Sequence, residues 1–417
     1  MTLIAVKVAL DPTPAQQRAL RSHAGASRFA YNAALDHVKH GLAAKEEVNW
    51  SFYGLRKWWN ENKDALAVDD TGYVWWEENS KEAYSHGLEC LASGLKNWRD
   101  SKTGKRKGRR VGFPTFKSAR GRLSFAYTTG AFGLISGNSK ALRLPRIGRV
   151  HCFENVARRV GDGKVTRITV SYRGGRWYAS LTVDREEEAP TTVPTGDAVG
   201  IDLGVKHLAT LSTGEVIENP RALSNAERQL RRAQRALSRT QKGSKRREKA
   251  KRRVSRLHAR VVHVRQDTLH KMTTRLARSY SHIVLEDLNV SGMVKNRRLA
   301  KSIHDASLAE FRRQMEYKCA RNGVQLTFVD RWFPSSKMCS GCGAVRAKLS
   351  LSERTYHCDT CGLTLDRDLN AARNILVAGS APETLKRTWS KCKTPDPMGQ
   401  GRSTGKCEPS RRALSTV

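Results

Sequence analysis

CDTCGLTLDRDLNAARN, residues 358–374, says more about the architecture of this chain than any other segment. A C-x-x-C pair, Cys358 and Cys361, is followed within a few residues by two aspartates, Asp366 and Asp368. Thiolates are soft ligands that suit Zn²⁺, whereas carboxylates are hard ligands that suit Mg²⁺ or Mn²⁺. The segment therefore raises the question of why two sites of different chemistry lie side by side.

A second C-x-x-C pair lies upstream, and the complete spacing is C-x2-C-x15-C-x2-C, which is typical of a zinc ribbon. Four sulfur ligands close a tetrahedral site, so we predict one structural Zn²⁺ with no open position for water. Two alternatives remain: His357 as a competing ligand, or four reduced cysteines without metal. The predicted ligands are Cys339, Cys342, Cys358 and Cys361, and the glycines that favour their tight turns are Gly341, Gly343 and Gly362.

Length and charge narrow the classes of function. The 417 residues suffice for two or three domains, and the net charge of +37 attracts polyanions, nucleic acid first. An anionic membrane is the weaker alternative, because there is no long apolar run and no lipidation motif. The opening MTLIAVKVALDP is too short for a signal peptide, so we expect a cytosolic protein. Five further cysteines are scattered, which argues against a disulfide framework.

Acidic residues occupy unusual positions in two other segments. Asp202 lies within the strand-like VGIDLG, and Glu286 and Asp287 end the apolar HIVLED. A charge within an apolar strand is costly unless it is paired or binds a metal. Three such acids, one from each of the three distant segments, could therefore converge on one pocket. Two Mg²⁺ ions about 4 Å apart in such a pocket would support phosphodiester hydrolysis.

Each acid alone has an ordinary explanation. Asp368 precedes LNAARNIL and could be a helix N-cap, and Asp287 could pair with a neighbouring basic residue. The GIDLG segment alone also resembles the first phosphate loop of actin-fold kinases. The combination of acid order, spacing and cysteine pairs is more specific than any one of them.

The N-terminal part predicts a strand over residues 2–9 and then a helix begun by a capping box at Thr13 and Gln16. Helical patterning continues to about Trp98. Residues 102–121 are basic and broken by glycine, and form either a solvated loop or a phosphate-contacting loop. Tryptophans at helical spacing are mainly core anchors, although some could stack on bases: Trp50, Trp58, Trp59, Trp75 and Trp76.

The remainder alternates between strand and helix patterns, and the polar, Pro/Gly-broken segment from residue 380 onward predicts disorder. The expected elements are a β-hairpin turning at Gly174-Gly175, a linker over 184–197, two strands over 198–218, a basic helical hairpin over 224–278 with a break at 240–245, a strand within 282–290, a helix over 303–321 and a strand over 325–331.

Several segments together resemble the TnpB family of transposon-encoded RNA-guided nucleases, which are related to type V CRISPR effectors. The resemblance covers most of the chain, is weakest over residues 35–100 and is absent from the tail. The segments that carry it are GIDLGVK (200–206), IVLEDL (283–288), FPSSKMCSGCG (333–343) and CDTCGLTLDRDLNAARNI (358–375), with VGFPTFKS (111–118) and LAKSIHDAS (299–307) as further matches.

The resemblance implies an α/β fold: an RNase H-like (RuvC) nuclease domain with an inserted zinc ribbon, and an N-terminal β-rich wedge domain interrupted by a helical recognition domain. The implied boundaries are 1–10 and 122–195 for the wedge domain, 11–121 for the helical domain with its basic loop, 196–338 and 362–379 for the nuclease domain, 339–361 for the ribbon and 380–417 for a disordered tail.

The resemblance also implies an activity. The three catalytic acids of the family correspond to Asp202, Glu286 and Asp368, with Asp366 as the alternative for the last. The expected protein is an RNA-guided DNA endonuclease of a transposable element, which cleaves target DNA beside a short flanking motif with two catalytic Mg²⁺ and one structural Zn²⁺. Its partners would be guide RNA and target DNA in a bacterial or archaeal cytosol, at the nucleoid; the oligomeric state stays open. The alternatives are a non-catalytic RNA-guided repressor, or a transposase acting in strand transfer.

Overall fold

The computed structural model describes residues 2–186, 194–350 and 352–380. The predicted tail beyond residue 380 and the middle of the predicted linker lie outside these residues. The chain divides into two compact units, Met1–Glu187 and Glu188–Val417.

The first unit contains a seven-stranded antiparallel sheet with the strand order β2-β6-β7-β1-β5-β4-β3. Its elements are β1 (Thr2–Asp11), α1 (Pro14–Ala43), α2 (Phe52–Leu66), a 3₁₀ helix (Trp75–Glu78), α3 (Lys81–Lys102), β2 (Ser124–Tyr127), β3 (Gly133–Ile135), β4 (Asn138–Leu144), β5 (Gly148–Cys152), α4 (Val156–Val160), β6 (Lys164–Arg173) and β7 (Arg176–Arg185).

Local sequence signals account for several of these elements. The capping box at Thr13 is confirmed, since Gln16 N donates to Thr13 Oγ1 and Thr13 N donates to Gln16 Oε1. The β6–β7 hairpin turns at Gly174 and Gly175, whose φ angles of 58° and 84° suit glycine. The five N-terminal tryptophans are buried or pack against the core, as expected of core anchors. The predicted long helical region is divided into three helices.

The second unit contains a five-stranded mixed sheet with the order β10-β9-β8-β11-β12 and a separate two-stranded sheet, β13-β14. Its elements are β8 (Ala198–Leu203), β9 (His207–Leu211), β10 (Val216–Glu218), α5 (Ala222–Ser238), α6 (Lys245–Ser279), β11 (His282–Glu286), α7 (Val290–Met293), α8 (Arg297–Ala306), α9 (Leu308–Asn322), β12 (Gln325–Val329), β13 (Thr355–His357), β14 (Thr364–Asp366) and α10 (Arg367–Ser380).

Two expectations for this unit need correction. Residues 198–218 form three strands rather than two, because a turn at Gly214 (φ 94°) returns the chain as β10. The helix expected over 303–321 is two helices, α8 and α9, which meet at Ser307 in the left-handed conformation. The basic helical hairpin is confirmed as α5 and α6. In the described part of the chain, no helix has the length and apolarity needed to cross a membrane.

The two faces of the five-stranded sheet pack against different helices. Ile201 and Leu285 belong to the core shared with α6, α8 and α9. Val284 packs instead with Ile375 and Ala378 of α10. Successive residues of a strand point to opposite faces, so the even-numbered positions of β8 and β11 face α10. This alternation places Asp202 and Glu286 on the α10 face.

Candidate active site and candidate metal centre

Asp202 and Glu286 occupy equivalent positions on neighbouring parallel strands. The β8–β11 ladder pairs Gly200 with Val284 and Ile201 with Leu285, and the two acids follow directly. Neighbouring strands lie about 4.8 Å apart, so the two acids leave the sheet side by side. Both side chains are half-buried.

Asp368 reaches the same place from helix α10. A Cβ at Gly200 would lie 2.2 Å from the carbonyl oxygen of Ala372, so α10 rests directly on β8. Asp202 lies two residues beyond Gly200, and Asp368 lies about one helical turn before Ala372. The helix therefore brings Asp368 towards the two strand acids, and these three residues are called the acidic cluster below.

The electrostatics of the acidic cluster reflect this proximity. Burial raises the pKa of Asp202 to about 7, and the negative charges of Asp368 and Glu286 add to the effect. Burial raises the pKa of Glu286 to about 7 as well. Like charges brought together in a half-buried place favour protonation unless a cation balances them. Arg367 offsets part of the negative charge, and the raised pKa values show that the cluster is suited to a divalent cation.

The structure distinguishes the two aspartates of the DRD triplet. The exposed Asp366 accepts hydrogen bonds from Asp368 N at 2.9 Å and Leu369 N at 3.1 Å, so Asp366 is the N-cap of α10. The alternative that Asp368 is the N-cap is wrong. Asp368 is half-buried and pairs with Arg367 Nη2 at 3.2 Å.

Asp287 belongs to a separate ion-pair network, as one alternative predicted. Its carboxylate pairs with Arg312 of α9 and with Arg331, which follows β12. The hydrogen bond from Arg312, followed by that from Arg331, lowers the pKa of Asp287. Charged partners thus satisfy Asp287, whereas its neighbour Glu286 remains in the acidic cluster.

The donor set of the acidic cluster fits hard cations, but its oxygens are spread out. Among the described residues, only the four cysteines bring three or more ligand atoms within 4.8 Å of one another. Ligands of a two-ion site surround ions about 4 Å apart, so they need not converge on a single point. The carboxylate oxygens of the acidic cluster are the kind of ligand that hard cations such as Mg²⁺ prefer.

The cysteine cluster consists of Cys339, Cys342, Cys358 and Cys361, whose sulfur atoms all lie within 4.8 Å of one another. Two of the Sγ–Sγ distances, Cys339–Cys361 and Cys342–Cys358, are 3.6 Å. A disulfide needs about 2.05 Å, whereas a tetrahedral zinc site with bonds of about 2.3 Å has sulfur edges of about 3.8 Å. The arrangement fits Zn²⁺. His357 lies outside the group and bonds Thr364 Oγ1 at 2.9 Å.

Each C-x-x-C pair is held by the same turn. Gly343 N donates to Cys339 O, and Gly362 N donates to Cys358 O, both at 2.9 Å. These two glycines have φ angles of 78° and 73°, the region that favours glycine. Backbone N–H groups, that of Cys361 foremost, lower the pKa of Cys358 to about 6, which favours the thiolate that a metal requires.

Two buried asparagines on α10, which the sequence analysis missed, connect the two clusters. Asn370 Nδ2 donates to Met338 O at 2.7 Å and Asn370 Oδ1 accepts from Ser340 N at 2.9 Å. Asn374 Nδ2 donates to Ser335 O at 2.8 Å and to Met338 O at 2.6 Å. The same helix thus carries Asp368 and holds the segment that leads into Cys339. The sequence signal that could have revealed them is two side-chain amides four residues apart, on one face of an otherwise apolar helix segment.

Three family models match this chain. One described as "Probable transposase" (OrfB_IS605) matches residues 180–297, and one described as "Cas12f1-like, TNB domain" matches residues 309–375. A third, "Helix-turn-helix domain", matches residues 1–47. That span contains strand β1 and helix α1, so the third description does not fit the local structure.

Relatives match over nearly the full length. The chain is 38% identical to "Putative RNA-guided DNA endonuclease Rv2885c" of Mycobacterium tuberculosis, over 95% of this chain and 92% of the relative. It is 34% identical to "Putative RNA-guided DNA endonuclease InsQ" of Escherichia coli K12, over 91% and 93%. A shorter match is to "TnpB-like protein L79" of Acanthamoeba polyphaga mimivirus, which is 28% identical over 123 residues, 28% of this chain and 23% of the relative.

These matches define the class as transposon-associated, Cas12-related proteins with a cysteine-bearing domain near the C-terminus. The chain belongs to the TnpB family of RNA-guided DNA endonucleases. A solved structure, "Cryo-EM structure of the Cas12f1-sgRNA-target DNA complex", aligns with a TM-score of 0.49 and 16% identity, over 86% of this chain and 82% of that one.

Proposed function

We propose that this protein is an RNA-guided DNA endonuclease in which Asp202, Glu286 and Asp368 hold two catalytic Mg²⁺ ions. The observation that carries the proposal is the meeting of these acids on one face of the sheet, where the pKa values of Asp202 and Glu286 are both raised to about 7. Arg367 offsets part of this charge, since it lowers the pKa of Asp202. A polyanionic substrate is consistent with the net charge of +37.

The roles of the residues follow from their positions. Asp202 and Glu286 extend from adjacent strands of a packed sheet, which fixes the spacing of their carboxylates. Asp368 approaches from α10 and would bind the same pair of cations. Bound Mg²⁺ supplies an activated water and stabilises the leaving oxygen of a phosphodiester. The pairing of Asp287 with Arg312 and Arg331 holds the end of β11 and so orients Glu286.

The five-stranded sheet supports an RNase H-like, RuvC-type nuclease domain. Three antiparallel strands, β10-β9-β8, continue into two strands parallel to β8, and the acids lie at the end of the central strand and its parallel neighbour. We assign residues 196–338 and 362–379 to this domain and 339–361 to an inserted zinc ribbon. The ribbon contains little core beyond Tyr356, so Zn²⁺ would contribute much of its folding free energy.

The first unit is the proposed binder of guide RNA and of the duplex motif beside the target. Its sheet (1–10 and 122–195) would form the wedge domain, and its helices (11–121) would form the recognition domain. Residues 103–110 are almost all exposed and strongly basic, which favours phosphate contacts. Sequence specificity would then come from pairing between guide and target.

The test is guided cleavage by the protein purified with its native RNA, in Mg²⁺, on matching DNA that carries the flanking motif. Asp202→Asn should lower the cleavage rate by about 10³-fold or more while DNA binding persists. Asp162→Asn, an exposed carboxylate of the first unit, is the matched control and should cleave like wild type. Wild type that cuts no faster than Asp202→Asn would refute the proposal.

The same experiment separates the alternatives. Specific binding without cleavage by either protein would indicate an RNA-guided repressor. Joined strand-transfer products in the purified reaction would indicate a transposase.

A further inference from the structure

We propose that the indole of Trp332 is a stacking platform for a nucleobase of the single DNA strand that reaches the acidic cluster. The inference rests on the proposed nuclease function and adds a positioning residue to it. Three observations carry it: the exposure of the indole, the way its backbone is held, and its location.

Trp332 is the one tryptophan of the described residues whose side chain is largely exposed. Its relative accessibility is 84%, whereas the others are buried or half-buried. Burying a large apolar side chain stabilises a folded protein, and this indole forgoes that stabilisation. Its size therefore serves no purpose in the core of the unit.

The exposure does not come from a loosely held segment. Trp332 N donates to Asp330 Oδ1 at 2.8 Å. On one side, Arg331 pairs with Asp287. On the other side, Phe333 is buried in the core formed with β11 and α10. Both flanking side chains thus fix the backbone and leave the indole directed to solvent.

The backbone of Trp332 lies at the same end of the sheet as Glu286 of the acidic cluster. Val329, the last residue of β12, pairs with Glu286 across the parallel ladder. Three residues separate Val329 from Trp332, so their Cα atoms are no more than about 11 Å apart. Trp332 therefore lies at the edge of the sheet where Glu286 emerges.

A nucleobase suits this surface better than a protein partner does. Protein interfaces centre on contiguous apolar patches, but the residues next to Trp332 in sequence are the charged Asp330 and Arg331 and the buried Phe333. Bases within a duplex cover one another, whereas an unpaired strand offers its base faces. Stacking tolerates any sequence, which suits an enzyme whose specificity comes from its guide.

The experiment compares two labelled strands of ten nucleotides, one of thymidines and one with abasic sites at every position. The full-length protein with its RNA is titrated without added Mg²⁺, at salt high enough to weaken phosphate-only binding, and anisotropy is measured. Trp332→Ala should bind the thymidine strand about 5- to 100-fold more weakly than wild type and the abasic strand equally. Trp332→Phe should retain most of the affinity. Tyr317→Ala, another exposed aromatic of this unit, should behave as wild type.

Equal affinity of Trp332→Ala and wild type for the thymidine strand would overturn the inference. An equal loss on both strands would overturn it as well, because it would indicate altered charge or folding. So would a change in sedimentation without a change in DNA binding, which would indicate a protein partner. Guided cleavage by wild type and Asp202→Asn, measured in parallel, shows separately whether the nuclease proposal holds.

Discussion

The acidic cluster and the cysteine cluster both include residues of one short stretch of chain, 358–368, yet they are built differently. Each C-x-x-C pair is shaped by a turn of a few residues: the first lies within the bridge between Met338 and Val345, and the second lies within the β13–β14 hairpin. The acidic cluster needs two strands and a helix that are far apart in sequence. In this protein, local turns place the cysteine ligands, whereas the packing of the whole unit places the carboxylate ligands.

Helix α10 explains why the two sites are adjacent. Asp368 lies in its first turn, and Asn370 and Asn374 hold the backbone that leads into Cys339. A metal-stabilised ribbon inserted just before this helix would help fix where α10 begins. Helix α10 therefore links the position of the structural cysteine cluster to that of the proposed catalytic Asp368.

The largest expected effect separates the two aspartates of the DRD triplet. Asp368→Ala should lower guided cleavage by about 10³-fold or more with little loss of stability, because it removes a cation ligand. Asp366→Ala should keep most of the cleavage rate and destabilise by about 1 kcal/mol, the usual effect of losing an N-cap. Cleavage rates and thermal unfolding, measured on both variants, distinguish the loss of activity from the loss of stability. A loss of cleavage in Asp366→Ala alone would reverse the assignment.

The second prediction concerns the cysteine cluster. Cys342→Ser should lower the zinc content from about one ion per chain to nearly none, and should lower the thermal midpoint, because the ribbon has little core of its own. Metal analysis and calorimetry are the measurements. Cys90→Ser, outside the cluster, is the control and should keep its zinc. A Cys342→Ser protein with full zinc and unchanged stability would break the contrast between the two clusters.

The third prediction tests the connection itself. Asn374→Ala leaves the carbonyl groups of Ser335 and Met338 with fewer donors, which should destabilise the protein by about 1–3 kcal/mol. The zinc content should stay unchanged, since the four cysteines remain. Thermal unfolding and metal analysis distinguish these effects, with the exposed Asn97→Ala as the control. Unfolding identical to wild type would show that the amide is dispensable.

The fourth prediction concerns the pH dependence of the protein without added Mg²⁺. The pKa values of Asp202 and Glu286, raised to about 7, lie above the unfolded values of about 4. Their contribution to stability is therefore fully present below about pH 4 and is lost as the pH rises through 7. Without added Mg²⁺, the unfolding midpoint of wild type should fall between pH 4 and 7 more steeply than that of Asp202→Asn with Glu286→Gln. Parallel slopes would contradict the raised pKa values.

Much of the secondary structure could be predicted because its signals are local. The capping box at Thr13, the hairpin at Gly174 and the break between α5 and α6 each depend on a few neighbouring residues. The boundary between α8 and α9 could not, because Ser307 adopts a left-handed conformation that its sequence does not require. The third strand, β10, was missed because three residues are too short to show alternation.

By itself, the sequence determined the cysteine cluster, the excess of positive charge and the resemblance to the TnpB family. Spacing and composition are properties of the linear sequence and do not depend on the fold. Only the tertiary structure decided that Asp366 is the N-cap, that Asp287 pairs with two arginines and that Asn370 and Asn374 anchor the ribbon. The physical reason is that a side chain's partner depends on which strands and helices pack together. That packing is set by burial across the whole unit, which no short window of sequence contains.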